Sequence, residues 1–537
     1  MPVHDTDVTA ATGFHSLGLD DETATELTVA GELPDWLSGA LLRNGPGAFE
    51  LGGSSVDHWF DGLAMVTRFG FDGETDTVTF RNRFLRTDTF ESARAGEFTG
   101  GFATGETTLR ERLWGMVFAE PYDNTNVITE RVGEAYLALT ETPRQRRFDP
   151  ETLETTGDVT YDGDVPTGQI TCAHARRDPE TGSLVTFDTA FGRHNQYHVY
   201  EARGPTAREH VASVETDDPS YMHSFALTPN YVVLTEFPYV VNPLEFLKPG
   251  RQGPFVENFR WEPERGTRFR VVDRGTGEVV VEPTTDAFFG FHHANAYEDG
   301  DDLVVDLETV PDAESVATLS LERLRAGELD VLGGRIDRFR VSLGDRRTAA
   351  TVDRRRLHDG TALPTVSPAR WCREHRYVYA QRTAQPVTEW PTGVVKIDTE
   401  TETATTFDDG ADHFSEPIFV PRGWRGHDAT HAVDTTRGDS GGADMEARAS
   451  GADTEARASG ADTEARASGA DTEARASGAD AGAPDAGVVL TVGLDTDAER
   501  SRLFVLDGQT MTERARADLP LALPFDFHGR FFPELSA

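Results

Sequence analysis

Apolar residues in this chain come in short runs of four to eight, rich in Val, Phe, Tyr, Ile and Thr, and separated by clusters of Gly, Asp and Pro. Runs such as Asn230–Glu236, Arg268–Val272, Asp302–Asp306 and Tyr377–Gln381 have the length and composition of β-strands, and few stretches carry apolar residues at helical spacing. A turn signature follows many of the runs. Asp-x-x-Thr occurs at Asp72–Thr75, Asp149–Thr152, Asp178–Thr181, Asp273–Thr276, Asp398–Thr401 and Asp507–Thr510. A short Asp side chain can bond backbone amides two residues on and so nucleate a turn, which predicts a β-hairpin tip at each site. Repeated hairpins without crossover helices predict an all-β architecture that closes by radial repetition. A β-propeller is the simplest such fold, and a pair of sandwiches is the alternative.

One segment breaks the pattern. From about 438 to 484 the chain cycles through Ala-Ser-Gly-Ala-Asp-Thr-Glu-Ala-Arg, with Glu446, Glu455, Glu464 and Glu473 marking a nine-residue period. No aromatic or β-branched aliphatic residue occurs within it, so it cannot build a stacked core or offset its ordering entropy. It is expected to be a disordered insertion in a surface loop. It divides the globular part into residues 30–437 and 485–537, behind an N-terminal extension over 1–29.

Composition narrows the function. The 537 residues include 92 acidic and 51 basic side chains, a formal net charge of −41, so the surface repels nucleic acid. The basic residues are almost all arginine, Lys248 and Lys396 being the only lysines. That depletion, with the acidic excess, is the pattern expected of a halophilic protein, whose self-repulsion is screened at molar salt, where the Debye length is roughly 3 Å. Cys172 and Cys372 are too few for a disulfide framework or a Cys-based metal site. The first residues read neither as a signal peptide nor as a spanning helix, so a cytoplasmic location is expected. No phosphate-loop lysine follows a glycine, and no flavin or nicotinamide motif is present. Gly438-Asp-Ser-Gly-Gly442 spells a serine-protease nucleophile string, but in Gly/Asp/Ser-rich sequence beside the repeat it reads as chance composition.

Four of the 16 histidines lie in short apolar or aromatic settings beside predicted strands: His174, His223, His292 and His528. No two have the i, i+4 spacing of a helical metal motif, so a shared site would have to be assembled from distant segments. Propeller strands converging on an axis can do that. Four neutral imidazoles suit Fe(II), Cu(II), Ni(II) or Zn(II), and ligand type alone does not choose among them. His293 adjoins His292 and on a strand points to the opposite face, so only one of the two can reach the axis. His194 and His198, four apart in a strand-like stretch, read as structural.

The segments Leu42-Leu-Arg-Asn-Gly-Pro-Gly-Ala-Phe-Glu50, His58-Trp-Phe-Asp-Gly-Leu-Ala-Met65, the four histidine contexts, Ser415-Glu-Pro-Ile-Phe-Val-Pro421 and Gly487-Val-Val-Leu490 resemble, in order, the motifs of the carotenoid cleavage oxygenase family. The resemblance runs from about residue 30 to the C-terminus. It implies a seven-bladed β-propeller capped by loops and short helices, with one Fe(II) held by His174, His223, His292 and His528. His292 is taken over His293 because the family's ligand lies three residues before the Asn that here is Asn295. His58 recurs in the family's motif without being a ligand, and on that resemblance it reads as structural. The reaction implied is cleavage of a conjugated C=C bond of a carotenoid or apocarotenoid by O2, giving two carbonyl products. A stilbene-cleaving relative and a non-catalytic binding propeller are the alternatives. The resemblance further implies outer glutamates on the ligating imidazoles: Glu141 and Glu416 match two of them. They match the first and third of three; where the second belongs the chain has Ala362, so water or another acid is expected to support one histidine, His292. Phe237–Leu247 falls in a region that contacts membrane in the family.

Overall fold

The computed structural model describes residues 10–97, 101–104, 122–163, 165–244, 254–329, 333–344, 350–426 and 482–537. The repeat insertion falls almost wholly outside these residues. The described chain is mostly β, and its named strands pair antiparallel.

The predicted runs become the strands Tyr231–Glu236, Thr267–Asp273, Asp302–Thr309 and Tyr377–Arg382. All six Asp-x-x-Thr sites turn between paired strands or next to them. In each, the Asp carboxylate accepts from an amide three residues on, at 2.8 Å in Asp149 and Asp273 and 2.9 Å in Asp507. One such turn falls in each of six different sheets.

Alternation sets which faces are buried. Along Thr77–Phe84 the side chains of Val78, Phe80 and Phe84 are buried while Thr77, Thr79, Arg81 and Arg83 are half-buried on the other face. Fully burying a Phe contributes about 2–3 kcal/mol. The neighbouring strand Leu63–Asp72 is covered on both faces and is apolar apart from Thr67, Arg68 and the terminal Asp72.

Both ends of the chain share sheets. The C-terminal strand His528–Phe532 pairs with Ser38–Ala48, opposing Asn44 to His528, and Val29–Gly31 adds to Glu513–Asp518. Between them lie sheets of four, five and five strands, a seven-stranded sheet running from His293–Asp299 to Thr403–Phe407, and a six-stranded sheet built on Gly487–Asp495. Described helices are short: Asp88–Arg94, Glu314–Thr318 and Leu321–Ala326. No described helix is long and apolar enough to cross a membrane.

Strands Ile418–Pro421 and Gly487–Asp495 are hairpin partners, with Pro421 opposite Gly487 and the Arg422 amide donating to the Ala486 carbonyl at 2.9 Å. The repeat therefore joins two adjacent points of one sheet. Cys172 and Cys372 are buried and unpaired with each other.

Candidate metal centre

Each of the four histidines sits at or just before a strand on the edge of its sheet, and the four sheets differ. His174 lies between Ile170–Thr171 and Arg176–Arg177, and His223 precedes Ala226–Leu227. His292 precedes His293–Asp299, and His528 opens His528–Phe532. Edge strands from separate sheets thus deliver residues 354 positions apart in sequence to one point. Their ligand nitrogens all lie within 4.8 Å of one another, and among the described residues no other set of His, Cys, Asp or Glu side chains clusters in this way. His174 Nε2 and His223 Nε2 are 3.0 Å apart, and the His174 and His528 rings lie 4.3 Å apart between centroids.

Three of the rings are fixed from behind. His223 Nδ1 donates to Glu141 Oε1 at 2.5 Å, His528 Nδ1 to Glu416 Oε1 at 3.0 Å, and His292 Nδ1 to Glu308 Oε2 at 3.0 Å. Donation from Nδ1 leaves the Nε2 lone pair free and pointing to the common centre. His292 Nε2 is buried there without any hydrogen-bond partner. A lone pair facing other lone pairs in a buried space is an unfavourable arrangement that a cation relieves. Burial, and then the neighbouring imidazoles, hold His174 and His292 well below the usual histidine range. Burial also lowers His528 in spite of Glu416. An imidazole that binds through a free Nε2 lone pair is a neutral ligand, and the residues present fit a divalent metal of borderline softness, with no carboxylate or thiolate in the innermost set.

The carboxylates are anchored in turn. Tyr221 donates to both oxygens of Glu141 at 3.0 Å. Glu416 takes a second bond from the Gly529 amide at 2.8 Å, and its carbonyl accepts from the fully buried Arg43 at 3.0 Å. Arg43 forks onto Asp526, with Nη2 to Oδ1 at 2.7 Å. Glu416 sits below the usual carboxylate range because His528 and Arg43 outweigh its burial. Burial pushes Glu308 up to about 8.

The expected residues therefore meet, and the gap foreseen at Ala362 is filled from elsewhere. Ala362 lies in Val352–Val366 opposite Gln381, just before a bulge. The acid on His292 is Glu308, from Asp302–Thr309. Its signal in the sequence was an Asp306-Leu-Glu308 pair of acids alternating inside a strand that is otherwise apolar. His293 points away, held by Ser224 at 2.7 Å and Thr235 at 2.9 Å. His58 bonds the Val316 carbonyl at 2.9 Å, and His198 bonds Ser213 at 2.8 Å, so both are structural. His194 is exposed.

One side of the histidines opens into a cavity of about 380 Å³ walled by Trp59, Phe60, Phe102, Phe291, Trp390 and Phe527, with Glu141, Glu308 and Ala362 near its base. Asp61, fully buried and part of the His58–Met65 motif, shapes this wall by accepting from the amides of Gly101, Phe102 and Ala103 at 2.8–3.0 Å, a role the motif alone did not assign. Of the stretch Phe237–Leu247, Phe237, Val240 and Val241 are buried and Leu244 is exposed. Residues 245–247 lie outside the described residues, as does Ser440.

Antiparallel sheets that bring four imidazoles to a buried point beside an aromatic cavity define a β-protein with a histidine-only site able to hold a metal ion. The chain belongs to the RPE65 family (retinal pigment epithelial membrane protein), whose sequence profile matches residues 17–434 and 474–533, leaving a gap that takes in most of the repeat. It is 28% identical to a mitochondrial carotenoid-cleaving dioxygenase of Mustela putorius furo, over 94% of this chain and 93% of that one. It is 30% identical to a carotenoid isomerooxygenase of Galleria mellonella, over 74% and 81%. The structure of cobalt-substituted Synechocystis ACO superposes with a TM-score of 0.75 at 24% identity, covering 97% of this chain and 98% of that one.

Proposed function

We propose that this protein cleaves a conjugated carbon–carbon double bond of a carotenoid or apocarotenoid with O2, using one Fe(II) held by His174, His223, His292 and His528. The observation that carries the reading is the convergence of four neutral imidazoles, three of them backed by carboxylates, at the base of an aromatic cavity. The names of the relatives agree with it. Iron(II), when bound, supplies the redox chemistry that makes O2 reactive toward an electron-rich alkene.

The chain's own residues do the rest. Glu141, Glu308 and Glu416 fix ring tautomer and direction, so the nitrogens are aligned before any metal arrives. Phe60, Phe291 and Phe527 exclude water from the reacting centre. A polyene offers little but apolar area, and the aromatic wall binds it at roughly 25 cal/mol per Å² buried. With few hydrogen-bond donors along the wall, register is set by shape rather than by polar readout.

The architecture that supports this reading is a seven-bladed propeller. Six sheets have four or more strands among the described residues, and the seven-stranded one counts as two blades, divided at the bulged strand Val352–Val366. The pairing of His528–Phe532 with Ser38–Ala48 supports closure of the ring. The repeat is an insertion in the hairpin between Pro421 and Gly487, outside the working fold. Leu244, exposed beside the buried Val240 and Val241, is the described residue that best supports peripheral membrane contact.

The test is incubation of the iron-loaded chain with β-carotene, an apocarotenal and a hydroxystilbene under labelled O2, followed by mass analysis. Two carbonyl products from a polyene, carrying label, are expected. An iron-loaded chain that leaves both polyenes intact sinks the proposal, and cleavage of the stilbene alone moves it to the stilbene class.

A further inference from the structure

Three imidazoles at the centre are backed by acids, and the third acid is placed differently from the other two. Glu141 and Glu416 lie in irregular segments that follow or precede strands. Glu308 instead projects from within Asp302–Thr309, in the interior of the seven-stranded sheet. Its strand is next to that of His292, yet the side chain reaches past Gly334–Ser342 towards Val352–Val366, where the Leu363 amide is hydrogen-bonded to its carboxylate.

Two neighbours make that reach possible. A Cβ at Gly334 would collide with the Thr361 carbonyl oxygen and would stand 2.6 Å from Glu308 Oε1 and 3.1 Å from its Cγ, so the close strand pairing requires glycine here and the same glycine leaves the path of Glu308 open. Leu363 turns its amide inward by adopting a left-handed conformation (φ 48°), in the bulge that shifts the register between Ala362 and Thr365. A non-glycine residue is held in that conformation only when its surroundings favour it. At 362 itself the methyl side chain leaves the space beside His292 to the glutamate, and both residues line the same cavity.

We propose that Glu308 is the positioning residue for His292: it holds Nδ1–H and thereby sets the Nε2 lone pair on the metal, with Gly334 and the Leu363 bulge shaped to admit it. The proposal rests on the four-histidine metal reading. A buried acid with a merely structural role would stabilise the metal-free chain. A positioning acid instead governs metal affinity, and loss of such an outer partner typically lowers it about 10–100-fold.

The experiment is a Co(II) titration of the full-length metal-free chain and of Glu308→Ala, Glu308→Gln and His223→Ala, read by the Co(II) visible bands and paired with metal-free unfolding curves. Glu308→Ala is expected to bind Co(II) about 10–100-fold more weakly with altered bands, while its metal-free unfolding midpoint stays that of the parent. Glu308→Gln, which can still accept from Nδ1, is expected to fall between. The proposal is overturned if Glu308→Ala binds within about twofold of a parent that itself binds, or if its weaker binding comes with a matching loss of metal-free stability. A parent that binds no more Co(II) than His223→Ala overturns the metal reading itself, and Glu308's role with it.

Discussion

Removing the carboxylate of Asp526 should destabilise the whole fold and loosen the centre at once. Arg43 is fully buried in the strand Ser38–Ala48. Two of its nitrogens are bound to Asp526, and its third bonds the carbonyl of Glu416, the acid that orients His528. Burial alone would lower the Arg43 pKa, and Asp526 and Glu416 more than compensate, so the guanidinium stays charged. Asp526→Ala leaves that charge buried without its main partner, a loss of about 3–5 kcal/mol. For an ordered chain of this length the unfolding entropy is roughly 1 kcal/mol per kelvin, so the midpoint should drop by about 3–5 °C. Scanning calorimetry at fixed salt measures it. Arg43→Met with Asp526→Leu should recover most of the loss, since an apolar pair of similar volume replaces a buried ion pair at little cost. An Asp526→Ala midpoint within about 1 °C of the parent would refute the reasoning.

Phe527 touches Trp59 (centroids 4.5 Å) and Phe60 on the cavity wall, so Phe527→Ala should raise KM for a polyene about tenfold with a smaller change in kcat. An unchanged KM in steady-state assays would place the substrate elsewhere. Because the segment after Pro421 returns to pair at Gly487, deleting 438–481 should leave the unfolding midpoint and iron content intact; loss of either would show that the repeat takes part in the fold. Asp412, buried beside Asp409, is pushed up to about 8. Its folded form keeps a proton that the unfolded chain releases near pH ~4, so its contribution to stability is full at low pH and is lost as pH rises towards 8. Asp412→Asn should therefore gain on the parent between pH 5 and pH 8 in unfolding curves, and a constant difference would contradict the assignment.

Local chemistry made much of this legible from the sequence. An Asp that bonds its own turn is a short-range event, so all six hairpin tips were marked by Asp-x-x-Thr. Aromatic strand contexts nominated the four histidines, and the ordered motifs of the family resemblance made them the ligand set. The same motifs marked Glu141 and Glu416 as outer acids, and the structure pairs them with His223 and His528. Glu308 was marked only by its place among alternating acids, and nothing in the sequence tied it to His292. It acts across neighbouring strands, through a glycine at 334 and a bulge after Ala362, and pairing register cannot be read from either segment alone. The apolar run at Phe237 was equally ambiguous, since burial and membrane contact call for the same residues; Phe237, Val240 and Val241 turned out to be buried.

The central claim is that His174, His223, His292 and His528 form one iron site, and elemental analysis of the purified chain tests it most directly. About one iron per chain, lost in His223→Ala and in His528→Ala while both variants stay folded, is the predicted result. Zinc in place of iron, or iron that survives removal of either histidine, would contradict it.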